Sequence, residues 1–303
     1  MTSSFGPLLL FGEVLFDRFP DGRAVLGGAP FNVAWHLRAF GETPRLVSRV
    51  GEDPAGEAVR RAMLDWGMDT AGLQVDRDLP TGRVEVRFDD GEPSYEIVHP
   101  VAWDAIEAPA GNGLGDGAGW LYHGSLALRD PRSRKALNRL AARGDLRIFV
   151  DVNLREPWWD RDEVLARVNA AHWVKLNEAE LAALAPPAER LAERARRLHA
   201  SAELEGLIVT RGAAGALVLG PDGETSAAPA AQRGAVTDTV GAGDAFSAVT
   251  LFGLRHGWPL AVTLERALTF AAAVCGLQGA TIPDPDFYQP FLHAWRDRGA
   301  GRD

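Results

Sequence analysis

The feature that most constrains the fold is the alternation of short apolar runs with amphipathic stretches of helical spacing. The apolar runs are Leu8–Phe16, Pro44–Val50, Trp120–His123, Arg147–Val152, His172–Leu176 and Leu207–Thr210. Short runs that are apolar throughout are typical of strands buried on both faces, and intervening helices provide the crossovers between parallel strands. The sequence therefore predicts an α/β fold in which a mostly parallel central sheet lies between two layers of helices.

Two stretches depart from this alternation. Residues 18–26 and 81–102 alternate apolar and polar side chains, as Val84, Val86 and Phe88 show, and this period is typical of half-buried antiparallel ribbons. A small sheet of this kind could serve as a lid over a ligand, although an edge hairpin without functional motion fits the pattern equally well. We predict a single domain over residues 1–303, with lid strands at about 18–26 and 81–102.

Composition and charge exclude several classes of protein. The 303 residues are 46% hydrophobic and 24% charged, which is ordinary for a globular protein with a large core. The net charge of −9 repels nucleic acid and anionic membranes, so we expect neither as a partner. The single cysteine, Cys275, leaves no intramolecular disulfide and no cysteine-based zinc site, and we expect a cytoplasmic protein.

The strongest local pattern is Asp238-Thr-Val-Gly-Ala-Gly-Asp244, followed by apolar residues at helical spacing. Glycines at a helix start let backbone N–H groups approach an anion, which the helix dipole also favours. Asp244 falls in the first turn, where its carboxylate could accept a proton from an attacking hydroxyl. The alternative is an acidic residue that only complements the helix dipole.

A second glycine-containing helix start lies near the N-terminus, at Gly27-Gly-Ala-Pro-Phe-Asn-Val-Ala34. Gly28 would let a polar ligand reach the backbone, and Asn32 offers a donor and an acceptor to a hydroxyl. The alternative is a tight strand-to-helix turn.

Together these two segments closely resemble the signature regions of the ribokinase-like (PfkB-type) carbohydrate kinases. Three more segments resemble other motifs of that family: Gly51–Gly56 its Gly-x-Asp-x-x-Gly element, Asn177–Glu180 its Asn-x-x-Glu motif, and Thr210–Gly215 its Thr-x-Gly-x-x-Gly turn. The resemblance implies a ribokinase-like three-layer α/β/α sandwich with a small β-strand lid, and the transfer of the γ-phosphoryl group of ATP to a sugar hydroxyl.

The resemblance also implies roles for individual residues. Asp244 corresponds to the catalytic base, and Gly241, Ala242 and Gly243 correspond to the anion hole around the transferred phosphoryl group. Backbone amides and one carboxylate suit phosphoryl transfer, which needs positioning and charge stabilisation. No Walker-type phosphate loop is present in the sequence.

For the nucleotide and its ions, the resemblance implies a further set. The residues expected to bind the nucleotide are Asn177, Thr210, Gly212 and Gly215. Glu180, with Asn177, would organise Mg²⁺ through water, although a helix-capping pair is the alternative for these two residues. Asp238 and the loop Gly279–Ala280 resemble the family's site for a monovalent cation such as K⁺.

On the sugar side, Asp17 corresponds to the family's substrate carboxylate, with Gly28 and Asn32 beside it; a strand-end turn residue is the alternative for Asp17. The stretch Asp151-Val-Asn-Leu-Arg155 is similar to one in fructokinases and 2-keto-3-deoxygluconate kinases, and Arg155 could pair with a phosphate or an anionic substrate group.

The opening Gly12-Glu-x-x-x-Asp17 and the Gly27-Gly-Ala-Pro-x-Asn32 form both resemble bacterial fructokinases most closely, so D-fructose is our first choice of substrate. The alternatives within the enzyme class are 2-keto-3-deoxygluconate, tagatose or ribose, and more distantly a nucleoside. A catalytically inactive sugar or nucleotide sensor of the same fold is the alternative from a different class. Family resemblance also suggests a homodimer formed through the lid strands, whose alternation leaves one apolar face in need of cover.

Overall fold

The structure is a computed structural model and describes residues 6–89, 92–109, 117–221, 223, 225–228, 241–277 and 279–297. In chain order its strands are β1 (Leu8–Phe11), β2 (Leu15–Arg18), β3 (Ala24–Gly27), β4 (Arg45–Gly51), β5 (Leu73–Asp76), β6 (Gly82–Asp89), β7 (Glu92–Ile97), β8 (Gly119–His123), β9 (Leu146–Asp151), β10 (Trp173–Asn177), β11 (Gly206–Thr210), β12 (Ala216–Leu219) and β13 (Thr225–Ala228). Its α-helices are α1 (Ala29–Ala39), α2 (Pro54–Asp65), α3 (Pro131–Ala141), α4 (Arg161–Asn169), α5 (Glu178–Leu184), α6 (Leu191–Ser201), α7 (Ala242–Arg255), α8 (Leu260–Val274) and α9 (Pro285–Asp297). None of these described helices is long and apolar enough to cross a membrane.

A central sheet carries the body of the molecule, with its strands in the order β13-β12-β11-β10-β9-β8-β1-β4-β5. All neighbours from β11 to β5 are parallel, and β12 and β13 extend the sheet antiparallel at one edge. Strands β4, β8, β9, β10 and β11 coincide with predicted apolar runs to within one residue at each end. The mostly parallel sheet is therefore confirmed.

The two faces of this sheet are covered by different helices. Leu8 and Leu10 belong to one buried cluster together with residues of α1, α7, α8 and α9. Leu9 and Phe11 belong to the other, with residues of α3, α4, α5 and α6. Because alternate side chains of a strand point to opposite faces, the apolar runs supply both cores at once. The expected three-layer sandwich is confirmed.

The expectation of one strand over Leu8–Phe16 is wrong. The chain leaves the central sheet after Phe11, and β2 begins at Leu15 in a different sheet. Gly12 lies at the exit with a φ of 147°, and a Cβ there would lie 2.6 Å from Cγ of Pro30. Glycine is therefore required both by the backbone conformation and by the close approach of α1.

The second sheet has the order β3-β2-β6-β7, and we call it the lid sheet. The pairs β2–β3 and β6–β7 are antiparallel, as expected of two ribbons, but β2 and β6 join the ribbons through a parallel contact. The first ribbon begins at Leu15, earlier than residue 18, because β2 follows the break after β1. The region 81–102 includes β6 and β7 and reaches the 3₁₀ helix Ala102–Ala105.

Candidate active site

A cleft of about 570 Å³ lies at the carboxyl ends of the central parallel strands, and residues of the lid sheet form one of its walls. Ligands of α/β proteins commonly bind at this end of the sheet. The cleft brings together ten residues selected from the sequence, which are Asp17, Gly28, Asn32, Arg155, Asn177, Glu180, Thr210, Gly241, Gly243 and Asp244.

Four other selected residues do not line this cleft. Ala242 is the first residue of α7 and lies between the two lining glycines. Gly212 and Gly215 form the turn after β11, both with positive φ, next to the lining residue Thr210. Asp238 lies outside the described residues, so its predicted role in a cation site stays a prediction.

The start of α7 forms the base of the cleft. Gly241 precedes the helix with a φ of 80°, and a Cβ on it would lie 2.4 Å from Cβ of Ala280. No described side chain caps this helix start. Its first N–H groups are therefore available to an anion, and the helix dipole favours negative charge there.

Asp244 lies in the first turn of α7, where Asn32 Nδ2 donates a hydrogen bond of 2.7 Å to Asp244 Oδ2. Withdrawal from bulk water raises the pKa of Asp244 to about 7, against the effect of that hydrogen bond; the charges of Asp151 and Glu13 raise it further and the charge of Lys175 lowers it. A carboxylate with a pKa near neutrality is well matched to general base catalysis.

Asn32 reaches Asp244 from the first turn of α1. Gly28 precedes that helix with a φ of 111°, and a Cβ there would lie 2.7 Å from the carbonyl oxygen of Glu13. Asn32 is buried, and its Oδ1 has no hydrogen-bond partner among the described residues. The predicted donor of Asn32 thus holds Asp244, and its acceptor stays available to a hydroxyl.

Asp17 lies on the opposite wall, in strand β2 of the lid sheet, paired with Val25 and Val84. Its neighbours along this wall of the cleft are apolar apart from the hydroxyl of Tyr95; the apolar ones are Leu15, Val25, Leu26, Val84 and Ile97. The lid sheet therefore offers a substrate one carboxylate within an apolar surface. A carboxylate in such a surface favours ligands that donate hydrogen bonds to it.

Asn177 and Glu180 form a reciprocal cap at the start of α5. Glu180 N donates to Asn177 Oδ1 at 2.9 Å, and Asn177 N donates to Glu180 Oε2 at 2.8 Å. Leu154 N donates to Glu180 Oε1 at 2.9 Å, which ties the cap to the loop that carries Arg155. The capping arrangement considered from the sequence is therefore present, and both residues also line the cleft.

These contacts bear on the fit of a magnesium ion. Each Glu180 oxygen accepts one backbone N–H and keeps a second lone pair, which suits a contact with a metal-bound water. Among the described residues, no group of three or more His, Cys, Asp or Glu side chains is placed to hold a metal ion directly. The residues present thus fit an ion carried mainly by nucleotide phosphates.

Three charged residues that line the cleft were not selected from the sequence: Glu13, Asp151 and Lys175. Burial raises the pKa of Glu13, against the backbone hydrogen bonds it accepts. Asp151 and Lys175 face each other in register at the ends of the parallel strands β9 and β10. A charged residue near the carboxyl end of an apolar parallel strand is the signal that could have identified both.

Fold and site together define a class of protein. A helix start open to an anion, an aspartate in its first turn and a second carboxylate across the cleft are the parts needed to move a phosphoryl group onto a hydroxyl. The chain matches the model described as "pfkB family carbohydrate kinase" over residues 11–286. The chain belongs to this family, which confirms the resemblance seen in its motifs, and it is a phosphotransferase with a hydroxyl acceptor.

Similar proteins extend over nearly the whole chain. A fructokinase of Klebsiella pneumoniae is 32% identical over 295 residues, which cover 91% of this chain and 95% of that protein. An aminoimidazole riboside kinase of Salmonella typhimurium is 32% identical over 286 residues, covering 88% and 87%. A crystal structure of a fructokinase double mutant from Vibrio cholerae O395, in fructose-, ADP- and potassium-bound form, has a TM-score of 0.80 at 26% identity and covers 96% of this chain and all of that one. Sugar and riboside kinases are both among the relatives.

Proposed function

We propose that the protein is an ATP-dependent kinase that converts D-fructose to D-fructose 6-phosphate. The observation that carries the proposal is the position of Asp244, which lies in the first turn of α7 at the base of a cleft whose opposite wall presents Asp17. The similar fructokinases, and the fructose and ADP in one of their structures, support the choice of acceptor and of nucleotide.

In this mechanism Asp244 acts as the general base. Its carboxylate takes the proton from the sugar hydroxyl as the hydroxyl oxygen forms a bond to the γ-phosphorus. The bond from that phosphorus to the bridging oxygen of ADP breaks, and ADP leaves with the electron pair. Asn32 holds the carboxylate through its Nδ2, and the N–H groups that follow Gly241 receive the charge on the transferred group.

The nucleotide phosphates would lie between the start of α7 and the ends of β10 and β11, where Asn177 and Thr210 line the cleft. Glu180 and Asn177 are the residues that would hold Mg²⁺ through its waters, with Asp238 and Gly279–Ala280 at a monovalent-cation site. When bound, Mg²⁺ would neutralise phosphate charge.

The residues that line the cleft make a sugar acid an unfavourable substrate. Arg155 and Lys175 are the cationic groups among the described lining residues, and Lys175 is already bound to Asp151 through both carboxylate oxygens. A substrate carboxylate would therefore find one basic partner, Arg155. The uncharged ketoses fit this lining better than 2-keto-3-deoxygluconate does.

A riboside is the second candidate acceptor, and the apolar lid wall is the observation that favours it. Val25, Val84 and Ile97 could pack against a heterocyclic base while Asp17 receives ribose hydroxyls. The similarity to an aminoimidazole riboside kinase supports this candidate equally.

The decisive experiment is an assay of ATP-dependent phosphorylation across fructose, tagatose, ribose, glucose, 2-keto-3-deoxygluconate, adenosine and aminoimidazole riboside. We expect fructose to have the highest kcat/KM, and we expect Asp244→Asn to lower kcat by about 10²–10⁴-fold. Asp160→Asn is the matched control, because Asp160 caps α4 outside the cleft and asparagine caps equally well.

The outcomes separate substrate from mechanism. A higher kcat/KM for a riboside would replace fructose and retain Asp244 as the base. Turnover of fructose that is unaffected by Asp244→Asn would overturn the mechanism. Absence of turnover with the whole panel, together with binding of sugar or nucleotide, would favour the sensor.

A homodimer through the lid strands stays a separate prediction, which the molar mass in solution tests.

A further inference from the structure

A buried polar cluster lies directly beneath the start of α7. Lys175 Nζ is 2.9 Å from Asp151 Oδ1 and 2.8 Å from Asp151 Oδ2. Asp151 Oδ2 also accepts a hydrogen bond of 2.7 Å from Ser247 Oγ and one of 3.2 Å from Tyr122 OH. All four side chains are buried. The cluster joins the ends of three parallel strands to the helix that carries Asp244.

The cluster contacts the first turn of α7 through Ser247, and Lys175 lies beside the same turn. Ser247 Oγ lies 3.0 Å from the carbonyl oxygen of Gly243, and Lys175 Nζ lies 3.6 Å from the position that a Cβ on Gly243 would occupy. Lys175 and Asp151 also line the cleft. One positive and one negative charge are thus fixed next to the turn that carries the base, in a part of the protein that water reaches poorly.

The charged and titratable groups facing Asp244 come from each strand end beneath it. They are Glu13 after β1, Tyr122 on β8, Asp151 on β9 and Lys175 on β10. The carboxylates of Glu13 and Asp151 oppose the ionisation of Asp244, and Lys175 is the cation among these four groups. Lys175 is therefore the charge in this set that favours the Asp244 carboxylate.

We propose that Lys175 is a positioning residue for the reaction: held by Asp151 beside the first turn of α7, it supplies the positive charge that keeps Asp244 in its proton-accepting form. This inference rests on the proposed function only in taking Asp244 as the base. It adds that Lys175 favours the ionisation of Asp244 and that Asp151 opposes it.

The test exploits these opposite signs. Removing the positive charge in Lys175→Met disfavours the Asp244 carboxylate, so its pKa rises. Removing the negative charge in Asp151→Asn favours the carboxylate, so its pKa falls. Removing one nearby unit charge from a poorly hydrated site is expected to displace the pKa of Asp244 by about one pH unit. The double variant Lys175→Met/Asp151→Asn removes both charges and is expected to lie between the single variants.

The pKa is measured directly by ¹³C NMR titration of the Asp244 carboxyl carbon in protein labelled at the aspartate side chain, without substrate. The signal is assigned by its loss in Asp244→Asn. Ser247→Ala is the matched control, because it removes a hydrogen bond of the cluster and leaves every charge in place; its Asp244 pKa is expected to stay near that of the parent. If Lys175→Met does not fold, the fall in Asp151→Asn and the intermediate value in the double variant still decide the question.

Displacements of opposite sign support the inference, as does a parallel movement of the acidic limb of kcat/KM in each variant. Displacements of the same sign, or a pKa that none of the variants moves, overturn it. Because the titration needs no turnover, a protein that phosphorylated none of the tested acceptors would refute the proposed function and leave this result readable.

Discussion

Helices α2 and α7 both begin beside a glycine and an aspartate, yet the pKa of one carboxyl group is lowered and that of the other is raised. Asp53 caps α2 and accepts hydrogen bonds from Gly56 N, Thr81 N and Thr81 Oγ1 at 2.7–2.8 Å. Although partial burial alone would raise the pKa of Asp53, these bonds hold it below its ordinary value. Asp244 has one such donor, Asn32, and its pKa is raised to about 7.

The difference teaches that a family motif need not mark a reacting residue. Both helix starts match motifs of the same family, and the motifs alone do not rank them. The hydrogen bonds distinguish the two residues. Those of Asp53 join α2 to Thr81, the residue before lid strand β6. Asp244 keeps one carboxylate oxygen and the neighbouring helix amides for a ligand. Asp53 thus has the contacts of a structural residue, and Asp244 those of the residue that we propose as the base.

The largest effect on stability is expected at Asp53. Asp53→Ala leaves three donors without a partner, two of them on Thr81, so we expect a loss of about 2–4 kcal/mol in the free energy of unfolding. The expected fall in kcat/KM is less than about tenfold, since Asp53 does not line the cleft. Urea unfolding and steady-state kinetics on the same preparation test this; loss of activity in a fully stable variant would contradict it.

Asp244→Asn is expected to raise the free energy of unfolding, whereas Asp53→Ala lowers it. The native carboxyl holds its proton up to about pH 7, whereas the unfolded one releases it near its ordinary pKa of 3.8. The native state therefore loses stability relative to the unfolded state as the pH rises. This loss is absent below about pH 4, grows from pH 4 to 7 and is constant above pH 7. Asparagine removes this cost and can still accept the hydrogen bond from Asn32.

We expect Asp244→Asn to be more stable than the parent by about 1–3 kcal/mol at pH 8, since water reaches the carboxyl from the cleft and limits the gain. The difference should disappear below pH 4. Thermal unfolding of both proteins at pH 4, 6 and 8 is the measurement. A variant that is less stable at pH 8 would show that the carboxylate has favourable native partners.

The smallest effect is expected at Thr81, the partner of Asp53. Thr81 Oγ1 donates to Asp53 Oδ1 and accepts a hydrogen bond of 2.9 Å from Gly51 N. Thr81→Val keeps the shape of this buried side chain and removes both bonds, for an expected loss of about 1–2 kcal/mol. In Asp53→Ala/Thr81→Val the losses should be less than additive, because the two residues share a bond. Additive losses would contradict this coupling.

Much of the fold could be predicted because strands buried on both faces leave a distinct record in sequence. The runs that became β4, β8, β9, β10 and β11 are short and mostly apolar. The break between β1 and β2 was missed because Val14, Leu15 and Phe16 continue the apolar run, while the change of sheet depends on contacts between Gly12 and α1. Such contacts form between segments distant in sequence.

The site residues also divide into those that a local sequence motif marks and those that only the assembled sheet brings together. Asp244, Asn32 and Asp17 are embedded in local motifs, and the structure places all three around one cleft. Asp151 opens the stretch that contains Arg155 but received no role from it, and Lys175 is a lone cation in a mostly apolar strand. Their relation is a register between neighbouring strands, Lys175 opposite Asp151, which arises only when the sheet is assembled.

The parallel contact between β2 and β6 places Asp17 on the lid sheet, whereas the proposed base and the proposed anion hole belong to the body. Under the proposed roles, recognition of the acceptor and the transfer chemistry therefore occupy separate sheets of one chain. Natural or laboratory selection could exchange one acceptor for another by altering a few lid residues such as Val84 and Ile97, with no change at Asp244. The lid sheet is accordingly the region to randomise in a search for new acceptors.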